Sequence, residues 1–552
     1  MDQSRPAGPS TEAQLDQSLG IVLDGRQAAP FYRQIVDQVA ARITSGDLPP
    51  GFRLPPSRAL AAALDTHRNT VVRAFEELAS DGYIAGHVGR GSFVLDRIAT
   101  RPARSAREGN DDDAAMTLGG RPLDRANLVE EPRAVYRYEG IPWPNLLSRA
   151  VQSEPLRRMQ RLSAGGVFGD VVNLSRMQAS LDLLPHEDFR ACMDNVLATL
   201  GPEALGYAPG QGLERLRLLI AAELGRSGIR AAADDILITT GSQQALDLVA
   251  RALVDPGDAF LTEGRTYSGA LNILTACGAE VIGVPGDDEG PDIRTLRALA
   301  RRRPKGLYLM PSSRNPTGTS ISAARREALV AWSQEAGVPL VEDDYGADLE
   351  LEPGTTLPAL RAHDPDVFHV GTYSKKLIPA LRVGFIVCPP AMRGPLTRLK
   401  HAMDLGTSTL LQHALAEFLE RGLLQAHLAR VTSAYRQRRD ALAAALRECL
   451  PEEVTFLLPE RGVVMWLSLP PGVDPEVAYE AARLEGVLVS PGSVYTVDAA
   501  ASGRMAAPAG LRLTYCSESP ERLVEGAHRL GRALKKVLSR RHGARRVELM
   551  GA

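Results

Sequence analysis

Residues 367–388 read VFHVGTYSKKLIPALRVGFIVC. Two strand-like runs, VFHVGTY and VGFIVC, enclose a short segment that carries Lys375, Lys376 and Arg382. The chain has only six lysines (Lys305, Lys375, Lys376, Lys400, Lys535 and Lys536), so arginine supplies nearly all its positive charge. Arginine can replace a structural cation at many sites. It cannot replace an amine that forms an imine.

Outward from this segment, the runs DILITT, AFLTE, EVIGV, GLYLM and VPLVEDD alternate with helix-like stretches such as SQQALDLVARALVD. The alternation, from about Val171 to Arg540, predicts an α/β domain with a mainly parallel sheet. A smaller, helix-rich C-terminal subdomain is expected from about Leu396. Ligands of such sheets lie beyond the carboxyl ends of the strands. The sequence places Ser242 and Gln243 there after DILITT, Tyr267 after AFLTE, and Asn315 in the turn PSSRNPTGT. Asp343 and Tyr345 follow VPLVE; Thr372, Ser374, Lys375 and Arg382 follow VFHVG. Each alone has an ordinary reading as cap, turn or packing. Together they suit one ligand with a phosphate, a nitrogen-containing aromatic ring, a phenolic oxygen and an aldehyde.

The N-terminal part has a different pattern. Residues 1–29 read as a polar arm. Ile35, Val39 and Ile43 recur at helical spacing, and LPPGFRLPPS is a proline-rich turn with Ser57 as a good N-cap. A short helix with Leu60 and Leu64 inward, a turn at DTHRN and a helix burying Val71, Phe75 and Leu78 follow. YIA and SFVL then flank a glycine-rich turn. This order describes a winged helix-turn-helix, mainly α, over residues 30–97; a small helical bundle with a hairpin fits the same pattern. Eight arginines face seven acids there, so placement matters more than net charge. Arg53, Arg58, Arg68, Asn69, Thr70, Arg73, His87 and Arg90 fall on turns, on the start of the last helix or on the wing, where phosphates and base edges could be met. Residues 98–165, including RPARSAREGNDDDAA, read as a flexible linker. The second domain spans 166–540, and 541–552 is a tail.

Bulk properties exclude little. At 552 residues and net charge −2, the chain is long enough for several domains and has no global attraction to nucleic acid or membrane. Five scattered cysteines without a CxxC pair indicate neither a disulfide framework nor a metal site. No apolar leader or membrane-length run occurs, so a cytoplasmic location is expected.

The motifs NPTG, EDDY, SK…R and GLRLTY resemble, in order and spacing, the fold type I aminotransferases that bind pyridoxal 5′-phosphate (PLP). The resemblance covers roughly residues 170–540. It implies that Lys375 carries PLP as a Schiff base and that Asp343 pairs with the pyridine nitrogen. Asn315 and Tyr345 would bond the 3′-oxygen, and Tyr267 would stack on the ring. Ser242, Gln243, Thr372, Ser374 and Arg382 would hold the phosphate, and Arg512 would take an amino-acid carboxylate. Aligning Leu377, Pro379, Arg382 and Gly384 with the family pattern selects Lys375; Lys376 would point elsewhere, toward solvent. The N-terminal stretch resembles the GntR-type winged helix. Their fusion is the layout of MocR-type transcription regulators, with an operator as DNA partner, an amino-acid-like effector or PLP as ligand, and a head-to-tail homodimer. Asp65 stands where that family often has glycine. The expected function is PLP-dependent regulation. An aminotransferase carrying a DNA-binding domain is the alternative, and a DNA-binding protein whose large domain is only a scaffold is a third reading.

Overall fold

The computed structural model describes residues 19–24, 30–45, 47–49, 51–80, 83–87, 91–94, 117–118, 121–122, 146–148, 150–153, 170–497 and 509–550. Most of the expected arm and linker therefore lies outside the described residues. The chain divides into two units, Met1–Leu147 and Ser148–Ala552.

The first unit contains α1 (Phe31–Ser45), α2 (Ser57–Ala63), α3 (Arg68–Ser80) and an antiparallel pair, β1 (Ile84–His87) and β2 (Gly91–Val94). Ile35, Val39, Leu60, Val71, Leu78 and Val94 form its core. The helical spacing of these apolar residues puts them on one face of each helix, which explains the order helix, helix, turn, helix, hairpin. One local expectation changes. Ser57 is the first helical residue rather than the cap, and Pro56 precedes it without a side-chain cap bond. Proline fixes the extended entry by itself, and the Ser57 hydroxyl instead meets Arg68 Nε at 3.4 Å. Asp65 adopts φ +48°, the left-handed conformation that a short polar side chain tolerates in this turn.

The second unit is built on a seven-stranded sheet. Its strands are β3 (Ile236–Thr239), β4 (Ala259–Glu263), β5 (Glu280–Val284), β6 (Leu307–Leu309), β7 (Leu340–Asp343), β8 (Phe368–Thr372) and β9 (Gly384–Val387). Their spatial order is β3-β9-β8-β7-β6-β4-β5. Only β9 runs against the rest. The strands are buried along their whole length apart from β5, as continuous apolar runs require when both faces are covered. Helix α4 (Glu214–Arg226) precedes the sheet in sequence; α5 (Ser242–Leu253) and α6 (Ser268–Ala276) follow β3 and β4. After β9 come α7 (Arg393–Asp404) and the long α8 (Leu423–Cys449). A second sheet holds β10 (Thr455–Phe456), β11 (Val464–Ser468), β12 (Ser490–Pro491) and β13 (Gly510–Thr514), in the order β10-β11-β13-β12. The last helix, α9 (Pro520–Met550), packs along α8.

Because β9 is antiparallel, it starts at the edge where β3, β7 and β8 end. Thr372 pairs with Gly384, and Gly384 pairs with Thr239. One sheet edge thus gathers Gly241, Asp343, Ser374 and Arg382. Among the described residues no helix is long and apolar enough to cross a membrane.

Candidate functional site

Gly241, at φ +87°, turns the chain from β3 into α5. A Cβ there would lie 2.8 Å from Arg382 Nη2, so both the conformation and the close approach require glycine. Arg382 is itself left-handed, at φ +49°, a costly conformation for a non-glycine residue. Its guanidinium donates to Thr240 O at 3.2 Å and to Ser374 Oγ at 3.4 Å. The free N–H groups opening α5 at Ser242 and Gln243 lie beside it, and together they form a cradle suited to a phosphate. Thr372 accepts from Ser374 N at 3.2 Å and closes the turn.

Asp343 ends β7 and is buried. One carboxylate oxygen accepts from Tyr308 Oη at 2.7 Å; the other, Oδ1, is buried without a hydrogen-bond partner among the described residues. Burial pushes the carboxyl up to about 7 despite the Tyr308 hydrogen bond. A buried carboxylate with a free oxygen calls for a cationic N–H. Tyr267, also raised by burial, to about 12, donates to Gln243 Oε1 at 3.0 Å. Tyr345 shares a 3.2 Å contact with Ser313 Oγ.

Lys375 is half-buried and donates to the Met177 carbonyl at 2.7 Å. Burial lowers its ammonium pKa; Cys516 opposes this and Arg512 and Arg382 add to it, which favours the uncharged amine. Lys376 corrects an expectation. It is buried, not directed at solvent, and pairs with Asp348 at 2.7 Å and Glu223 at 3.2 Å. The sequence could not show this, because Glu223 comes from α4, far along the chain.

Arg512, on β13, is buried. It donates to Ser175 O at 2.5 Å, Ser490 Oγ at 3.1 Å and Asn315 Oδ1 at 3.4 Å, and Met177 Sδ lies 3.1 Å from Nη1. Among the described residues its Nε has no hydrogen-bond partner. Asn315 therefore lies beside Arg512. Tyr308, Ser313 and Met177 are the site residues that the sequence did not reveal. Tyr308 reads as strand core within GLYLM, and Met177 lies in no motif.

The donor set fits PLP. Asp343 offers its free oxygen to a ring N–H, the Arg382 cradle offers donors to a phosphate, and Lys375 offers a primary amine. The five cysteines are free, and among the described residues no acidic, histidine or cysteine cluster could hold a metal.

In the other unit, Arg53, Arg58, Arg68 and Asn69 are exposed and Thr70 is half-buried. Arg73 stacks on Tyr32, its guanidinium carbon 3.6 Å from the ring centre. The side chain of His87, and all of Arg90, lie outside the described residues.

Comparison with known proteins agrees. Residues 170–530 match the aminotransferase class I and II family, and residues 31–94 match the bacterial regulatory proteins of the gntR family. The HTH-type transcriptional regulator TauR of Rhodobacter capsulatus is 31% identical over 508 residues, covering 90% of this chain and 95% of TauR. The probable rhizopine catabolism regulatory protein MocR of Rhizobium meliloti is 29% identical over 479 residues, 85% of this chain and 88% of that protein. Among solved structures, the α-aminoadipate aminotransferase LysN of Thermus thermophilus, complexed with N-(5′-phosphopyridoxyl)-L-leucine, superposes with a TM-score of 0.64. It is 33% identical and covers 72% of this chain and all of that one. A gntR-type head and an aminotransferase-type body, matched along nearly the full length of two such regulators, place this chain in the MocR-type family of PLP-dependent transcription regulators.

Proposed function

We propose that the cleft at Lys375 senses an amino compound, or PLP itself, and that its occupancy changes the affinity of the N-terminal domain for an operator. The observation that carries this reading is that half-buried Lys375 and buried Arg512 share the Met177 contact, while Asp343 Oδ1 and Arg512 Nε are buried without hydrogen-bond partners among the described residues. When bound, PLP supplies an aldehyde that condenses with primary amines and a ring that accepts electrons. Asp343 keeps the proton on the ring nitrogen. Lys375 offers an amine whose charged form is disfavoured. Arg512 presents a planar fork to a carboxylate. An effector acts only if it binds two arrangements of the protein unequally, since tight binding alone shifts nothing.

The proposed assembly is a cytoplasmic, head-to-tail homodimer on double-stranded operator DNA. Exposed Arg53, Arg58, Arg68 and Asn69 would meet phosphates and base edges, with Arg73 held by Tyr32 near them. Operator affinity, measured with PLP present and a panel of amino acids and B6 vitamers, tests the sensor. At least one compound is expected to shift it; a panel without effect refutes sensing. The complete set of Lys375, Asp343 and Arg512 also supports a second reading, an aminotransferase with a DNA-binding head. Sustained turnover of an amino donor with a 2-oxo acid, at about 1 per second or faster, would favour that reading.

A further inference from the structure

One short stretch of chain touches both ends of the cleft. The Met177 carbonyl accepts from Lys375 Nζ at 2.7 Å, and the Met177 thioether lies 3.1 Å from Arg512 Nη1 and 3.4 Å from Asn315 Nδ2. Two residues earlier, the Ser175 carbonyl takes Arg512 Nη2 at 2.5 Å. A single strap, residues 175–177, thus sits on the amine and on the guanidinium that an amino acid would bridge.

The strap's backbone is fixed. Thr514 N donates to Leu174 O at 2.7 Å, Thr514 Oγ1 to Arg176 O at 3.0 Å, and Ser180 N to Cys516 O at 3.1 Å. The segment is therefore hung on β13 and its extension, and β13 also carries Arg512. Met177 and Arg512 keep their relative register because one strand holds both. The Met177 side chain is half-buried and packs against two separate apolar clusters. Methionine is unbranched and flexible, and its sulfur is a weak acceptor that a carboxylate can outcompete for a guanidinium.

We infer that Met177 is the specificity-determining residue of the effector site, a gate that a carboxylate-bearing amine must displace from Arg512 to bind. The inference rests on the reading of Lys375 and Arg512 given under Proposed function. It raises the threshold for small α-amino acids, whose few contacts barely offset the displacement. It favours amines with enough additional contact area to compensate. An amine without a carboxylate has no need to move the thioether.

The test uses the full-length, PLP-loaded protein and calorimetric titration with two probes, L-alanine and n-propylamine. Met177→Ala should bind L-alanine about tenfold more tightly than the natural chain, a change of roughly 1.4 kcal/mol. Its affinity for n-propylamine should stay the same. Met177→Phe, which fills the gate further, should weaken L-alanine binding and so provides a second variant with the opposite expected sign. Unchanged L-alanine affinity in both variants, or equal shifts for both probes, would overturn the inference while PLP uptake still supports the broader reading. Failure of the natural chain to take up PLP at all would remove both.

Discussion

Two neighbouring lysines leave the end of β8 for opposite environments. Lys375 faces the cleft, where among the described residues no carboxylate pairs with it, and its pKa falls through burial. Lys376 faces the packed side between α4 and the strand-end loops. Burial alone would lower its pKa as well, but Asp348 and Glu223 raise it above the ordinary lysine range. One amine is thereby biased toward its uncharged form and the other toward its charged form. The difference comes from which acids surround each residue, not from the residue type or the depth of burial.

The strongest way to break this contrast is to exchange the roles. Lys375→Ala is expected to abolish the visible absorbance of bound PLP, and Lys376→Ala is expected to retain it in whatever protein folds. The absorption spectrum with PLP reads this out. Stability should show the reverse. Lys376→Met takes the cation from half-buried Glu223 and exposed Asp348, at a cost of about 1.5–3 kcal/mol in urea unfolding. Combining it with Glu223→Gln and Asp348→Asn should recover much of that loss. A single Lys376→Met variant as stable as the natural protein would show that the pair is not structural.

The acid partner of the cleft sharpens the contrast through pH. Asp343 is raised by burial to about 7 in the folded chain. A carboxyl raised on folding holds its proton more tightly in the folded state. Its stabilising contribution is present at low pH and is lost as pH rises from about 4, the unfolded value, to about 7. A cationic ring nitrogen placed against Oδ1 would offset that loss. The stabilisation conferred by PLP should therefore grow between about pH 4 and about pH 7, by on the order of a few kcal/mol. Melting temperatures with and without PLP measure it, and Asp343→Asn should flatten the dependence.

The smallest effect concerns the far side of the phosphate cradle. Lys400, fully buried on α7, pairs with Asp404 at 2.8 Å. Asp404 also accepts from Gln244 Nε2 at 2.7 Å and Thr240 Oγ1 at 3.3 Å, while Gln244 Oε1 takes Thr240 N at 2.7 Å. This network ties the loop between β3 and α5 to α7. Asp404→Asn should weaken PLP binding by about five- to tenfold, the equivalent of one hydrogen bond, and leave pyridoxal binding unchanged because pyridoxal lacks the phosphate. Fluorescence titration with both vitamers separates the two.

Much of this was legible in the sequence. Strand runs followed by turn residues located Lys375, Asp343 and Arg382 at one sheet edge, because parallel sheets present their carboxyl ends together. The winged-helix order followed from helical spacing and glycine turns. Long-range partners were not legible. Met177 stands 198 residues from Lys375, and Glu223 stands 153 residues from Lys376. Tyr308 meets Asp343 only because β6 and β7 pair in a register that sets Tyr308 beside Val341. Local pattern carries no information about such encounters; they exist only once the sheet is assembled.

The most direct measurement is borohydride reduction of the PLP-treated, full-length protein followed by peptide mapping. The expected result is a pyridoxyl group on the peptide bearing Lys375 and on that residue alone. An unmodified Lys375, or an adduct on Lys376 in its place, would contradict the division of labour between the two amines and the function built on it.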